Sequence, residues 1–312
     1  MKNKNILITG GLGFIGSHLT NKLIKNNNIT IIDNLSTGKI DNLENINHEN
    51  LTLIKKDLNS IDLNATLANI DYVFHLAAMS SVPLSIKQPI SCNMENVTST
   101  INLLNACVHN NVKKIIFSSS SAVYGKNTNI PLKETELPMP TSPYASSKAS
   151  CELYLQSFHE SYGLNYIVLR YFNTFGPKQD NNSQYSAVIP NFISALLKNE
   201  QAEIYGDGEQ TRDFIYVEDV VKANINAVES DYNGIINIAS GNSISINQLY
   251  DIIKKTLGKN IKPKYTSPRQ GDIKHSQANI EKMEKINLKI NNDNFEKNLI
   301  ETINWFKGKL EI

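Results

Sequence analysis

Tyr144 and Lys148 stand four residues apart in the run PYASSKAS, a spacing that puts a phenol and an ammonium on one face of a helix. A free phenol releases its proton near pH 10, and a neighbouring cation favours the phenolate, so such a pair can act as a base at neutral pH. The spacing alone is cheap in a chain with 13 tyrosines, and it recurs at Tyr250 and Lys254. The first pair is set apart by FSSSSAVYG, residues 117–125, a strand end rich in hydroxyls that can hold a reacting oxygen. The second pair is expected on a solvated helix face. Cys92, Cys107 and Cys151 are odd in number and widely spaced, which argues against a disulfide framework or a zinc site. They read as small buried residues, and no metal is expected. His75, His109 and His159 fall in strand or helix patterns and are expected to be structural.

A different chemistry is written in TGGLGFIGSH, residues 9–18, directly after the apolar run Ile6-Leu7-Ile8. Glycines between a strand and a helix allow a tight turn and let backbone N–H groups approach a pyrophosphate at the helix N-terminus. Gly10, Gly13 and Gly16 give the spacing GxxGxxG, which by itself also fits an ordinary glycine-rich turn. Asp33, at the end of ITIID, adds a carboxylate where both ribose hydroxyls of an adenosine can be accepted. It would repel a 2′-phosphate, and no arginine lies nearby. NAD is therefore favoured over NADP, with Lys39 as the residue that keeps NADP open.

These groups need a scaffold. NILIT, ITIID, LTLIKKD, DYVFHLA, KKIIFSS, NYIVLRY and IINIAS are short apolar runs separated by helical patterns. Strand alternating with helix predicts an α/β fold, a doubly wound parallel sheet. From residue 174 the texture changes: NTFGPKQDNNSQYSAV is loop-like, and helices are expected near 190–199, 247–257 and 294–307. The expected division is a dinucleotide-binding domain over 1–173, with 215–240 returning to it, and a substrate lobe mainly over 174–312. At 312 residues, 40% of them hydrophobic, the chain can bury a large core. A net charge of +1 offers no global attraction to nucleic acid or membrane. The N-terminus lacks a signal-like apolar run and no stretch approaches a membrane span, so a cytoplasmic protein is expected.

Taken together, GGLGFIGSH, DNLSTG, HLAA, SSSSAVYG, PYASSK, LRYFNTFG and GDGEQTRDFIYVEDVV resemble the extended short-chain dehydrogenase/reductase family, specifically its nucleotide-sugar 4-epimerases, over nearly the whole chain. The resemblance implies a Rossmann domain that keeps NAD bound, a C-terminal lobe that holds a UDP-sugar, and a Ser-Tyr-Lys catalytic group. Ser120 is similar in position to the family's serine, with Ser121 the nearby alternative. Cofactor contacts are implied for Gly10, Gly13, Phe14, Ile15, Asp33, Asn34, Ser36, Thr37, Gly38, Asp57, Leu58, Leu76, Ala77, Ala78, Asn96, Ser118, Tyr144, Lys148 and Tyr171. Substrate contacts are implied for Ser81, Ser120, Asn173, Val188, Asn191, Tyr205, Arg212, Arg269, Asp272 and Ser276.

Within that resemblance Tyr144 takes the proton of the sugar 4-hydroxyl, Ser120 holds the same oxygen, and Lys148 with the cationic nicotinamide lowers the phenol. A 4-keto sugar turns about its anchored diphosphate, and C4 is inverted with no net redox change. Ser121 and Ala122 stand where related dehydratases and decarboxylases carry acids, which disfavours elimination.

The chain has only three arginines, Arg170, Arg212 and Arg269, and planar bidentate recognition of phosphate favours that residue type. Arg212 and Arg269 match the family's diphosphate-binding arginines, and Arg170 is expected to be structural. Tyr205 is either the uracil-stacking aromatic or a core residue, and Asp272 either meets the ribose or orients Arg269. Ser276 resembles the gatekeeper beside the sugar 2-substituent; a small side chain there implies room for an N-acetyl group. UDP-hexoses are the expected substrates, UDP-glucuronate is the alternative, and a noncatalytic NAD-sensing protein is the alternative of another class. A homodimer through helices near 95–109 and 144–161 is implied.

Overall fold

A computed structural model describes residues 1–179, 187–268, 273–286, 288 and 294–309. The seven apolar runs become the strands of one parallel sheet: β1 (Asn5–Thr9), β2 (Asn28–Ile32), β3 (Leu51–Ile54), β4 (Tyr72–His75), β5 (Lys114–Ser120), β6 (Tyr166–Tyr171) and, after three short strands, β10 (Gly234–Ile238). The intervening strands are β7 (Asn173–Phe175), β8 (Glu203–Tyr205) and β9 (Thr211–Tyr216); β11 (Ser243–Ser245) and β12 (Lys264–Thr266) follow. The sheet order is β10-β6-β5-β4-β1-β2-β3, so the winding reverses between β1 and β4. A crevice opens at the carboxyl ends of strands where such a reversal occurs.

The strands read as continuous apolar runs because both faces are covered. Alternate residues of β1 go opposite ways. Ile6 and Ile8 pack with Ile116, Ile167 and Val220, while Leu7 packs with Val73, Phe117, Leu103 and Leu155. Helices Phe14–Leu23 and Val217–Glu229 thus cover one face, and Ser99–His109 and Pro143–Tyr162 the other.

A third cluster, including Phe175, Phe192, Leu249 and Phe306, joins helices Val188–Leu197, Ile246–Thr256 and Phe295–Lys309. Tyr250 belongs to it, contrary to the expected solvated face. Its ring is 1% exposed and meets Phe192 edge-on at 5.2 Å, and its hydroxyl donates to Ile261 O at 2.9 Å. Only Lys254 reaches outward, to Asp251 at 2.7 Å. The apolar stripe of this helix, Ile246, Leu249, Tyr250 and Ile253, includes the tyrosine because aromatic area is better buried than left wet.

Candidate active site

The phosphate-binding loop is shaped by what glycine lacks. Gly10 has φ +69, and a Cβ on it would lie 2.8 Å from Ala77 N, so the loop and the end of β4 close on each other. Helix Phe14–Leu23 starts at Gly13 without a side-chain cap, which leaves N–H groups of its first turn for an anion. Asp33 is held with both oxygens occupied on one side: Oδ2 accepts from Leu12 N at 3.0 Å and Oδ1 from Leu35 N at 2.9 Å. A carboxylate has further lone pairs, and those of Asp33 face a cleft. The cradle and this fixed carboxylate fit NAD. A Cβ on Gly38 would lie 2.8 Å from both Asp33 oxygens, so Gly38 acts by leaving the carboxylate room.

Helix Pro143–Tyr162 presents the reactive groups. Ser142 caps it by accepting from Ala145 N at 3.2 Å, Pro143 opens it, and Gly163 with φ +73 closes it. Tyr144 therefore sits in the first turn and Lys148 one turn on. The Tyr144 phenol is hydrogen-bonded to the Ser120 hydroxyl. Ser120 Oγ also accepts from Ala122 N at 3.1 Å, which leaves its own proton free to donate. Ser120, not Ser121, is the serine that meets the phenol.

Burial pushes the Tyr144 phenol above the ordinary tyrosine value, and the Ser120 hydrogen bond opposes this. The lysine is turned elsewhere: Nζ donates to Ser118 O at 2.7 Å and lies 4.8 Å from the Phe117 ring centre. Burial brings the Lys148 ammonium itself down to about 8.

A cleft of about 750 Å³ runs from the cradle past Ser120 and Tyr144 to the second lobe. Its walls bring together Gly10, Gly13, Phe14, Ile15, Asp33, Asn34, Ser36, Thr37, Asp57, Leu58, Leu76, Ala77, Ala78, Ser118, Lys148 and Tyr171 with Ser81, Asn173, Val188, Asn191, Tyr205 and Arg212. Three expected contacts are absent from those walls: Gly38, which lies against Asp33, Asn96 and Ser276. Asn96 is 2% exposed, accepts from Met79 N at 2.7 Å and donates to Ser147 Oγ at 2.8 Å, so its amide joins the Met79 loop to the Tyr144 helix. Ser276 is 9% exposed, and its N–H bonds Thr211 O at 3.1 Å, which places it behind β9. Arg269 and Asp272 lie outside the described residues.

The walls also carry Lys56, Ser80, Glu95, Ser99, Gln179, Glu203 and Gln210, which no motif singled out because only the folded chain brings them to the cleft. Asp213, beside Arg212, was also passed over. Its buried carboxylate accepts from Ser240 N, Ser240 Oγ, Gly241 N and Ala278 N at 2.7–3.2 Å. It ties the segment that carries Ser276 to the end of β10.

His75 closes β4 with both ring nitrogens engaged, Nδ1 to Thr9 Oγ1 at 2.7 Å and Nε2 to Thr100 Oγ1 at 2.9 Å. Burial lowers it to about 3, whereas the unfolded chain protonates it near 6.5. Its contribution to stability is therefore intact above pH 6.5 and is lost as pH falls toward 3. Between pH 7 and pH 5 the loss from this residue is about 2 kcal/mol. Urea unfolding at the two pH values is expected to show it, and His75→Gln is expected to remove that much of the difference. An unchanged pH dependence in the variant would assign it to other groups.

A parallel sheet with a glycine cradle and a fixed carboxylate, joined to a Ser-Tyr-Lys group, defines an NAD-binding protein of the short-chain dehydrogenase/reductase type. The chain belongs to the NAD dependent epimerase/dehydratase family, whose sequence pattern it matches over residues 6–239. It is 59% identical to a UDP-N-acetylglucosamine 4-epimerase from Methanobrevibacter ruminantium M1, solved in complex with UDP-N-acetylmuramic acid, with a TM-score of 0.98 over 99% of this chain and 100% of that one. It is 38% identical to a UDP-glucose 4-epimerase from Thermotoga maritima, solved with UDP-glucose, with a TM-score of 0.92 over 98% and 99%. A UDP-glucose 4-epimerase of Halalkalibacterium halodurans is 34% identical over 90% of this chain and 89% of its own.

Proposed function

We propose that the protein interconverts the C4 epimers of UDP-hexoses, UDP-glucose with UDP-galactose and UDP-N-acetylglucosamine with UDP-N-acetylgalactosamine. The observation that carries this reading is the Tyr144–Ser120 hydroxyl pair on a cleft that joins the dinucleotide cradle to a lobe bearing Arg212 and Tyr205. Ser120 donates to the sugar 4-oxygen, and Tyr144 accepts and later returns its proton. When bound, NAD takes up and gives back the C4 hydride and brings a positive ring into the cleft. That charge is needed because the phenol, as it stands, is raised by burial. Lys148 fixes the Ser118 carbonyl and, through it, the strand end that carries Ser120.

The second lobe holds the nucleotide. Arg212 supplies the guanidinium for the diphosphate, Tyr205 stacks on the uracil, and Asn173, Val188 and Asn191 line the path between. Arg269 and Asp272, outside the described residues, are assigned to the same nucleotide by the family resemblance alone. Ser121 and Ala122 supply no acid beside Ser120, which disfavours elimination from the keto sugar. Acceptance of the 2-acetamido group rests on the relative at 59% identity, a UDP-N-acetylglucosamine 4-epimerase. Of the described cations on the walls, Lys56 follows β3, Lys148 is committed to Ser118, and Arg212 serves the diphosphate. A sugar carboxylate finds no further cation among the described residues, which places UDP-glucuronate second.

A second copy of the chain completes the assembly. Ile86, Ile90, Met94 and Leu153 are 60%, 80%, 47% and 68% exposed, on helices Val82–Lys87 and Pro89–Asn93, the helical segment Met94–Thr98 that continues them, and helix Pro143–Tyr162. These helices pack on one another, so the residues form one apolar face suited to a twofold pairing. The face takes in residues 82–94 together with Leu153 of the helix expected to pair. A cytoplasmic setting suits three free, buried cysteines. Among the described residues no helix is long and apolar enough to cross a membrane.

One experiment tests the reading. Purified protein, without added cofactor, is incubated with each of UDP-glucose, UDP-N-acetylglucosamine and UDP-glucuronate, and the C4 epimers are separated; the same preparation is sedimented. Epimerisation of the two uncharged sugars by a dimer is expected. Conversion of UDP-glucuronate alone would replace the substrate assignment, and no conversion of any sugar would leave only cofactor binding.

A further inference from the structure

Behind the serine-rich end of β5 lies a buried charge pair that the reaction does not use. Glu152 and Arg170 are 4% and 1% exposed. Arg170 Nε donates to Glu152 Oε1 at 3.0 Å and Nη2 to Oε2 at 2.7 Å, a two-pronged pair. Ser119 Oγ donates to the same Oε1, and the guanidinium covers the Tyr124 ring at 4.7 Å. Glu152 comes from the Tyr144 helix, Ser119 from β5, and Arg170 from β6, where it is the register partner of Ser119. Desolvating two charges is costly, and apolar replacements of similar size are often as stable. Stability alone is a poor reason for a pair at this place.

Its neighbours give a better one. Tyr144, Lys148 and Glu152 follow at one-turn intervals on a single helix, and they engage Ser120, Ser118 and Ser119 of β5. The whole hydroxyl-bearing strand end is thus gripped by one face of one helix. Charge follows the same line. The titratable groups acting on Lys148 are Cys151 and Glu152 from its own helix, Cys92 from helix Pro89–Asn93 and His75 from β4. Burial pushes both thiols up and His75 down to about 3, so these three are neutral at pH 7. Glu152 is left as the one anion acting on this ammonium among the described residues.

We propose that Glu152, held by Arg170 and Ser119, is a positioning residue for the Tyr144–Lys148–Ser120 group: it locks the helix to β5 in the register that joins the two hydroxyls, and it is the counter-charge of the buried ammonium. The proposal rests on the reading of those three residues given above. Burial already lowers Lys148 to about 8, so without the counter-charge the ammonium is lost at lower pH.

The test uses the NAD-loaded enzyme and the double variant Glu152→Leu/Arg170→Met, which removes the pair without leaving one charge buried alone. Retained NAD and an unchanged KM are expected, with kcat down about tenfold and the alkaline limb of its pH profile lowered by about one unit. Glu152→Asp, which keeps the charge, is expected to keep the limb in place. A double variant with wild-type kcat and wild-type limb would show the pair to be structural and overturn the proposal. Should it not fold, Ser119→Ala decides: about threefold lower kcat at constant KM supports the proposal, and unchanged kcat overturns it. A wild type that epimerises no UDP-sugar would overturn the reaction itself, a result distinct from either of these.

Discussion

Tyr144→Phe is expected to lower turnover on UDP-glucose and UDP-N-acetylglucosamine by about a thousandfold or more, in the range that loss of a positioned acid–base group produces. One oxygen is deleted and the ring stays, so NAD content and UDP affinity are expected to hold. Ser120→Ala is expected to be milder, because the phenol can still take the proton when the sugar oxygen is less well held. Tyr250→Phe is the informative control. It removes a hydroxyl of the same kind, bonded to Ile261 O at 2.9 Å in the second lobe, and is expected to cost about 1 kcal/mol of stability while turnover is unchanged. Initial rates with both sugar pairs, alongside urea unfolding, separate the cases. Wild-type turnover in Tyr144→Phe, or loss of turnover in Tyr250→Phe with intact NAD, would move the chemistry away from Ser120 and Tyr144.

The contrast between those two tyrosines shows what the sequence carries and what it hides. Parallel strands covered on both faces must be apolar throughout, so all seven strands of the large sheet announced themselves as short apolar runs. The glycine loop and Asp33 were legible for a similar reason, since few residue types satisfy a φ of +69 or a close backbone approach. Tyr250 was misplaced because its position on an amphipathic helix says nothing of which neighbour covers that helix; Phe192 lies 58 residues upstream. The target of Lys148 was hidden too. Four-residue spacing shows that an ammonium and a phenol share a face, but a carbonyl on β5 competes for the proton, and only the packed structure brings Ser118 O within 2.7 Å. Asn96 carries a further lesson: a position near a site in sequence becomes a supporting one when its polar groups are already satisfied within the fold.

The other large effect concerns the cofactor, and it follows from the tightest glycine of the cradle. A Cβ placed on Gly16 would lie 2.1 Å from Gly10 O and 2.9 Å from Gly11 Cα, and both are backbone atoms of the phosphate loop. No rotamer change relieves such a contact. Either the first turn of helix Phe14–Leu23 moves away from the loop or the loop moves away from the end of β4, and each opens the N–H cradle that a pyrophosphate requires. Gly16→Ala is therefore expected to purify without NAD and to epimerise at less than about a hundredth of the wild-type rate, since misplacement by about 1 Å can cost that much. Gly163→Ala separates this from a general cost of removing glycine. It has φ +73 but open space around it, so it is expected to lose about 1–2 kcal/mol of stability and keep its nucleotide. Nucleotide released on denaturation is quantified by chromatography for both variants. Stoichiometric NAD in Gly16→Ala would show that the loop yields without opening, and would place cofactor retention in Asp33 and the walls of the cleft instead.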